Sequence, residues 1–226
     1  MTQDALILQK PAEPAAQLIL LFHGVGSNAG SMAPLGQQLA DRFPKAMVVC
    51  VNAPYASHAP GGFQWFSVAG ITEENRHDRI AQAMPAFIDC VAHWQAQAGL
   101  GPEATALVGF SQGAIMALES TLVTPALASR VVAVSGRFAQ LPATCAYPGT
   151  IHFLHGKQDT VMPYSHTVMA AHHLRDLGTD ITAEVLPYIG HEVHPEFVPL
   201  ILDKLTNHIS HRVWAEALQP VASPNP

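Results

Sequence analysis

Short apolar runs recur along the chain, bounded by Gly, Pro or Asn. Gln17 to Phe22, Ala46 to Asn52, Ala104 to Gly109, Arg130 to Val134, Thr150 to Leu154 and Thr182 to Leu186 read as strands. Several of them (LILLF, MVVCV, ALVGF, VVAV) are almost continuously apolar rather than alternating. That is the pattern of parallel strands covered on both faces. Helical stretches lie between them: about Ser31 to Arg42, Glu73 to Gln97, Gln112 to Thr121, Tyr164 to Leu177 and Pro195 to His211. Strand and helix alternate without an internal repeat, which predicts an α/β fold with a mostly parallel, doubly wound sheet flanked by helices. One segment breaks the rhythm. Ala53 to Gly70, rich in Gly, Pro and aromatics, is too long for an ordinary connector and reads as a functional loop or a self-packed Ω-type loop.

Composition adds what the pattern leaves open. Of 226 residues, 49% are hydrophobic and 12% charged, enough to fill a core and too apolar for a disordered chain. The length suits one domain over residues 1–226, with 219–226 (QPVASPNP) as a frayed tail. The net charge is −6 and the basic residues are scattered, which argues against nucleic acid or an anionic membrane as partner. Cys50, Cys90 and Cys145 are odd in number and far apart, as expected of reduced, mostly buried thiols. The segment MTQDALILQK lacks the basic start of a signal peptide, and no run approaches the roughly 20 apolar residues of a membrane helix. The expectation is a soluble cytoplasmic protein without stable membrane insertion.

Candidate chemistry begins at Gly109-Phe110-Ser111-Gln112-Gly113, which reads as strand end, tight turn and helix start. Two glycines leave room for a sharp turn that lifts the Ser111 hydroxyl out at the C-terminal end of a strand, where α/β sheets place their sites. The plainer alternative is an ordinary N-cap serine. A nucleophilic serine needs a base and a group to orient that base. Asp159 lies in a polar loop after Thr150 to Leu154, and His191 follows Thr182 to Leu186 and precedes a helix. The order Ser, Asp, His is that of the α/β-hydrolases.

Among 13 histidines, His194 is the nearest rival but directly precedes Pro195, and His152 lies within a strand. His23 and His155 read as partners of structural hydrogen bonds, while one or both of His172 and His173 should face solvent on a helix. Asp176, Asp180 and Asp203 read as solvated charges. Two backbone donors are needed for the oxyanion, each worth about 2.7 to 4 kcal/mol. The amide of Gln112 is one, and Val25 in His23-Gly24-Val25-Gly26 offers the other, unless that segment is a plain strand-to-helix turn. His191-Glu192-Val193-His194 falls one residue short of the helical zinc spacing HExxH, and no GxxxxGK[ST] or GxGxxG loop occurs. Neither a metal nor another cofactor is expected.

Taken together, LFHGVGSN, GFSQGA, HGKQDTVMP and GHEV resemble the phospholipase/carboxylesterase family, the acyl-protein thioesterase-like branch of the α/β-hydrolases. The stretch QWFSVAGITEEN (Gln64 to Asn75) is similar to the Trp-Phe loop of its small bacterial esterases. The resemblance implies a triad of Ser111, Asp159 and His191, with Val25 and Gln112 as backbone oxyanion donors. It also implies that Trp65 and Phe66 border the acyl pocket, the alternative for that pair being core packing. Ser67 stands where the eukaryotic thioesterases commonly carry an acidic residue. The implied activity is cleavage of small-molecule carboxylic esters of short to medium chain, or thioesters, with lysophospholipase or acyl-protein thioesterase activity as the alternative. A non-catalytic ligand-binding protein on the same scaffold is the reading from another class. Homodimers occur in the family, but no apolar stripe marks an interface here.

Overall fold

A computed structural model describes residues 4–210, 213–214 and 217–218, so the tail expected at 219–226 lies outside the described residues. Nine strands are described: β1 Ala5–Gln9, β2 Gln17–Phe22, β3 Ala46–Val51, β4 Tyr55–Ala56, β5 Phe63–Gln64, β6 Thr105–Phe110, β7 Arg130–Val134, β8 Thr150–Gly156 and β9 Asp180–Leu186. The helices are α1 Ala33–Arg42, α2 Glu73–Ala98, α3 Gln112–Glu119, α4 Ser165–Asp176 and α5 Phe197–Asn207.

Seven strands form one sheet in the order β1-β3-β2-β6-β7-β8-β9. β1 is antiparallel to β3 and every other neighbouring pair is parallel. This is the doubly wound arrangement that the apolar runs predict, and it is an α/β-hydrolase-like fold. Alternate residues of β2 divide between two cores. Leu18, Leu20 and Phe22 face Phe87 and Val91 of α2 and Ile115 of α3, whereas Ile19 and Leu21 face Leu35 and Leu39 of α1 and Ile201 of α5. The two-residue period of a strand thereby serves two helical layers at once.

Two features of the topology position the site. The chain runs outward from β2 to β3 on one side and from β6 to β9 on the other, so the strand order reverses between the adjacent β2 and β6. Loops leaving such a reversal diverge and open a crevice at the carboxyl ends of the strands. The segment 53–70 fills part of that end. It contains the small β4–β5 hairpin, and its Phe63 exchanges backbone hydrogen bonds with Gly26 and Ser27 of the loop after β2, at 2.9 and 2.7 Å.

One reading of the acidic residues needs correction. Asp180 is not a solvated charge: at the start of β9 it accepts the Thr150 hydroxyl at 2.5 Å and lies 3.0 Å from His208 Nε2. A carboxylate at the start of a strand can bond across the ladder, a contact that its distance in sequence from Thr150 hides.

Candidate active site

Ser111 occupies the turn between β6 and α3 with φ 51° and ψ −114°, a backbone conformation that non-glycine residues rarely adopt. Its N–H bonds Val134 O at 3.0 Å and its carbonyl accepts Ile115 N–H at 2.9 Å, so the strained turn is pinned from the next strand and from the helix it starts. Its hydroxyl caps no helix amide, which removes the ordinary N-cap reading. The turn also needs its glycines. A Cβ at Gly109 would lie 2.5 Å from the Ala114 nitrogen, and one at Gly113 would fall on the backbone of Phe22.

The Ser111 Oγ lies 2.9 Å from Nε2 of His191, and the Nδ1 of the same ring lies 2.7 Å from Oδ2 of Asp159. With Nδ1–H donating to the carboxylate, Nε2 is left as the acceptor of the serine proton. The second carboxylate oxygen, Oδ1, accepts N–H bonds from Val161 at 2.9 Å and Met162 at 2.7 Å. Burial pushes the Asp159 pKa upward, but the Met162 amide, His191 and the Val161 amide together hold it below the usual carboxylate range. The loops carrying the two side chains are tied directly, by Lys157 N–H to Leu186 O at 2.8 Å and Gln158 N–H to Ile189 O at 2.9 Å. Phe110 stacks against the His191 ring with centroids 5.0 Å apart.

His155 touches this constellation as well, which the sequence does not foretell. It is fully buried. Nε2–H donates to Met162 O at 2.7 Å and lies 3.2 Å from Asp159 Oδ2, while Nδ1 accepts the Thr167 hydroxyl at 2.8 Å. His23 plays a comparable structural part beside β2: Nδ1–H donates to Gly24 O at 2.7 Å and Nε2 accepts Ala53 N–H at 3.1 Å.

Ser111, Gln112, Val25 and Phe66 line one cavity of about 350 Å³. The backbone N–H groups of Val25 and Gln112 have no acceptor among the described residues. The Gln112 side chain does what the motif does not announce: Oε1 accepts Trp65 N–H at 2.7 Å and Nε2 donates to Phe66 O at 2.8 Å. The structure separates the aromatic pair. Phe66 faces the cavity, but Trp65 is not among its lining residues; at 1% exposure its indole packs edge-on against Phe22 and Phe87, 6.1 and 5.0 Å away. The cavity wall also carries Glu73, at the end of the QWFSVAGITEEN stretch, and Arg76, Arg137 and His166, which no sequence motif marks. No group of three or more His, Cys, Asp or Glu side chains placed to hold a metal ion occurs among the described residues. No described helix is long and apolar enough to cross a membrane.

A strained serine linked through an imidazole to a buried carboxylate, beside unused amides, is equipped for acyl transfer. Residues 3–210 match the family model described as Phospholipase/Carboxylesterase. This chain belongs to that family of α/β-hydrolases. It is 46% identical over 218 residues to the esterase YpfH of Escherichia coli (strain K12), covering 96% of this chain and 94% of the relative. The crystal structure of esterase PE8 superposes with a TM-score of 0.85 at 31% identity, covering 92% of this chain and all of that one. A more distant relative, acyl-protein thioesterase 1 of Neurospora crassa, is 24% identical over 212 residues, covering 84% of this chain and 86% of the relative. Within this family the chain is a carboxylic ester hydrolase, closely related to the bacterial esterase.

Proposed function

We propose that the chain is a serine esterase acting on short- to medium-chain carboxylic esters through an acyl-enzyme. The Ser111 hydroxyl attacks the ester carbonyl carbon as His191 Nε2 takes its proton. Asp159 keeps the imidazole in the tautomer that can do so and stabilises the imidazolium that forms. The oxygen of the tetrahedral intermediate rests on the N–H groups of Val25 and Gln112, both already free of other acceptors. The imidazolium then protonates the departing alcohol, and water repeats the sequence to release the acid. No cofactor enters these steps.

The observation that carries this reading is the unbroken hydrogen-bond chain Ser111–His191–Asp159, at 2.9 and 2.7 Å. A cavity of about 350 Å³ supports a modest acyl group rather than a long fatty chain. Thioesters of similar size are a second substrate class, favoured by the relatives named acyl-protein thioesterase. The wild-type protein is expected to be labelled by a fluorophosphonate probe and Ser111→Ala is not. The same variant should keep its fold and lose at least about a thousandfold in rate on nitrophenyl butyrate. Near-normal turnover, or equal labelling of the alanine variant, overturns the assignment.

A further inference from the structure

The Ser111 cavity is not lined by apolar groups alone. Beyond Phe66 and Ile115 its wall holds Glu73 and Arg76 from the first turn of α2, Arg137 from the loop after β7, and His166 from α4. Arg137 grips Glu73 through both nitrogens, Nη1 to Oε1 at 3.1 Å and Nη2 to Oε2 at 2.8 Å, and Arg76 Nη2 reaches the same Oε1 at 3.0 Å. The Arg76 and Arg137 side chains are 17% and 13% exposed, against 62% for Glu73.

Two largely buried cations therefore share one exposed anion. The bond from Arg137, with help from Arg76, outweighs burial and holds the Glu73 carboxyl below its usual range, so it is ionised. His166 sits 3.4 Å from Arg137 Nη1, and burial together with that guanidinium pushes its pKa down, so it is neutral at physiological pH. One positive charge remains in excess on the wall. The Nε–H of Arg76 is buried and has no acceptor among the described residues. A strut tying α2 to the loop after β7 needs a single guanidinium. The strut does not need the second, and an unmet buried donor in a native protein calls for a partner.

We propose that this wall is a subsite for a carboxylate borne by the substrate, so that the enzyme selects monoesters of dicarboxylic acids. The ester carbonyl sits at Ser111, the methylenes lie along Phe66 and Ile115, and the free carboxylate binds Arg76 and Arg137. Guanidinium and carboxylate are matched in shape and charge, and the bond strengthens where water is scarce. A plain alkyl chain of equal length would instead strip water from the guanidiniums and return no hydrogen bond. The proposal rests on Ser111 being the nucleophile.

Monomethyl adipate and methyl hexanoate differ only in whether the far end of a six-carbon acyl group carries a carboxylate. Acid release at constant pH gives kcat/KM for both, and the charged ester is expected to be preferred by at least about tenfold, the worth of one charge-assisted hydrogen bond. That ratio should fall toward one in Arg76→Gln and Arg137→Gln, and because it is a ratio, loss of folded protein cancels. Should both variants fail to fold, adipate is expected to inhibit nitrophenyl butyrate hydrolysis by the wild type more strongly than the uncharged hexanamide does, the more so at low salt. No preference in the wild type, no turnover of monomethyl adipate, a preference that survives both substitutions, or equal inhibition by adipate and hexanamide overturns the subsite. Each of those results leaves the esterase reading standing as long as nitrophenyl butyrate is cleaved and Ser111 is labelled. If labelling fails, the esterase reading falls and the subsite falls with it.

Discussion

Asp159 is held by more than the imidazole it orients. Two amides saturate Oδ1, while Oδ2 faces both His191 and His155. The carboxylate consequently has one orientation, and the His191 proton has one place to be. Asp159→Asn removes the charge but keeps the shape; its carbonyl oxygen stays on the Val161 and Met162 amides, which turns the side-chain N–H toward His191 Nδ1. The ring then favours the tautomer with hydrogen on Nε2, which cannot accept the Ser111 proton. A fall of about 10⁴ in kcat is expected with the circular dichroism spectrum unchanged. A loss of less than tenfold would show that Asp159 does not govern the tautomer. At this scale the motifs single out Ser111, Asp159 and His191, three side chains that lie within hydrogen-bond distance along one chain of contacts, in the order Ser111, His191, Asp159. The sequence conceals residues whose partners come from afar: nothing in the spacing of Glu73 and Arg137, 64 positions apart, signals their pairing.

Elements bring such residues together, and Gln112 shows how one side chain can couple three of them. It is the first residue of α3, it lines the cavity, and its side chain clamps the backbone on both sides of the Trp65–Phe66 peptide. That clamp fixes the segment after β5, which is also paired to the loop after β2. Gln112→Ala strands one buried donor and one buried acceptor. A cost of about 1 to 3 kcal/mol in urea unfolding is expected, together with a rise in KM as Phe66 loosens in the cavity wall. Unchanged stability would mean that the clamp is dispensable.

The same scale shows why some elements are legible and others are not. β2, β3, β6 and β7 are buried on both faces and stand out in the sequence as nearly continuous apolar runs, whereas β8, equally buried, is interrupted by His152 and His155 and is read from its apolar residues between them. β1 is an antiparallel edge strand whose Leu6 and Ile7 are 40% and 47% exposed, and five residues next to Lys10 and Pro11 leave no pattern to read. The β4 and β5 pair, two residues each, is set by tertiary contact with the loop after β2 rather than by propensity. Trp65 belongs with these cases. A Trp-Phe pair beside an active-site motif looks the same in sequence whether its indole meets substrate or the core, and here the gap between Phe22 and Phe87 decides.

Over the whole molecule, burying histidines as neutral rings ties stability to pH. His152 lies within β8 at 0% exposure. Its Nδ1 lies 2.8 Å from the Thr182 hydroxyl, its Nε2 has no partner among the described residues, and His208 packs edge-on 5.0 Å away. Burial first, and then the nearby His208, Arg130 and Lys204, lowers its pKa to about 3, with Asp180 opposing weakly. Burial also lowers His23 and His155. In the unfolded chain these rings take up protons below about pH 6.5, whereas the folded protein refuses them. The stabilisation is therefore complete above that pH and is lost as pH falls toward the folded-state value. Glu119 acts in the opposite sense: burial raises its pKa, so its contribution declines as pH rises above the ordinary carboxylate range. Between pH 6 and 5 three buried histidines, His23, His152 and His155, are set against the one carboxyl that burial raises, Glu119, so stability falls on acidification. For His152 alone the loss is about 1.4 kcal/mol per pH unit. Urea unfolding across that interval should show stability falling with pH, and His152→Gln should flatten the slope by about that amount even if the variant is less stable throughout. An undiminished slope would mean that His152 accepts its proton in the folded state, with the Thr182 contact and the strand around it yielding to a charge.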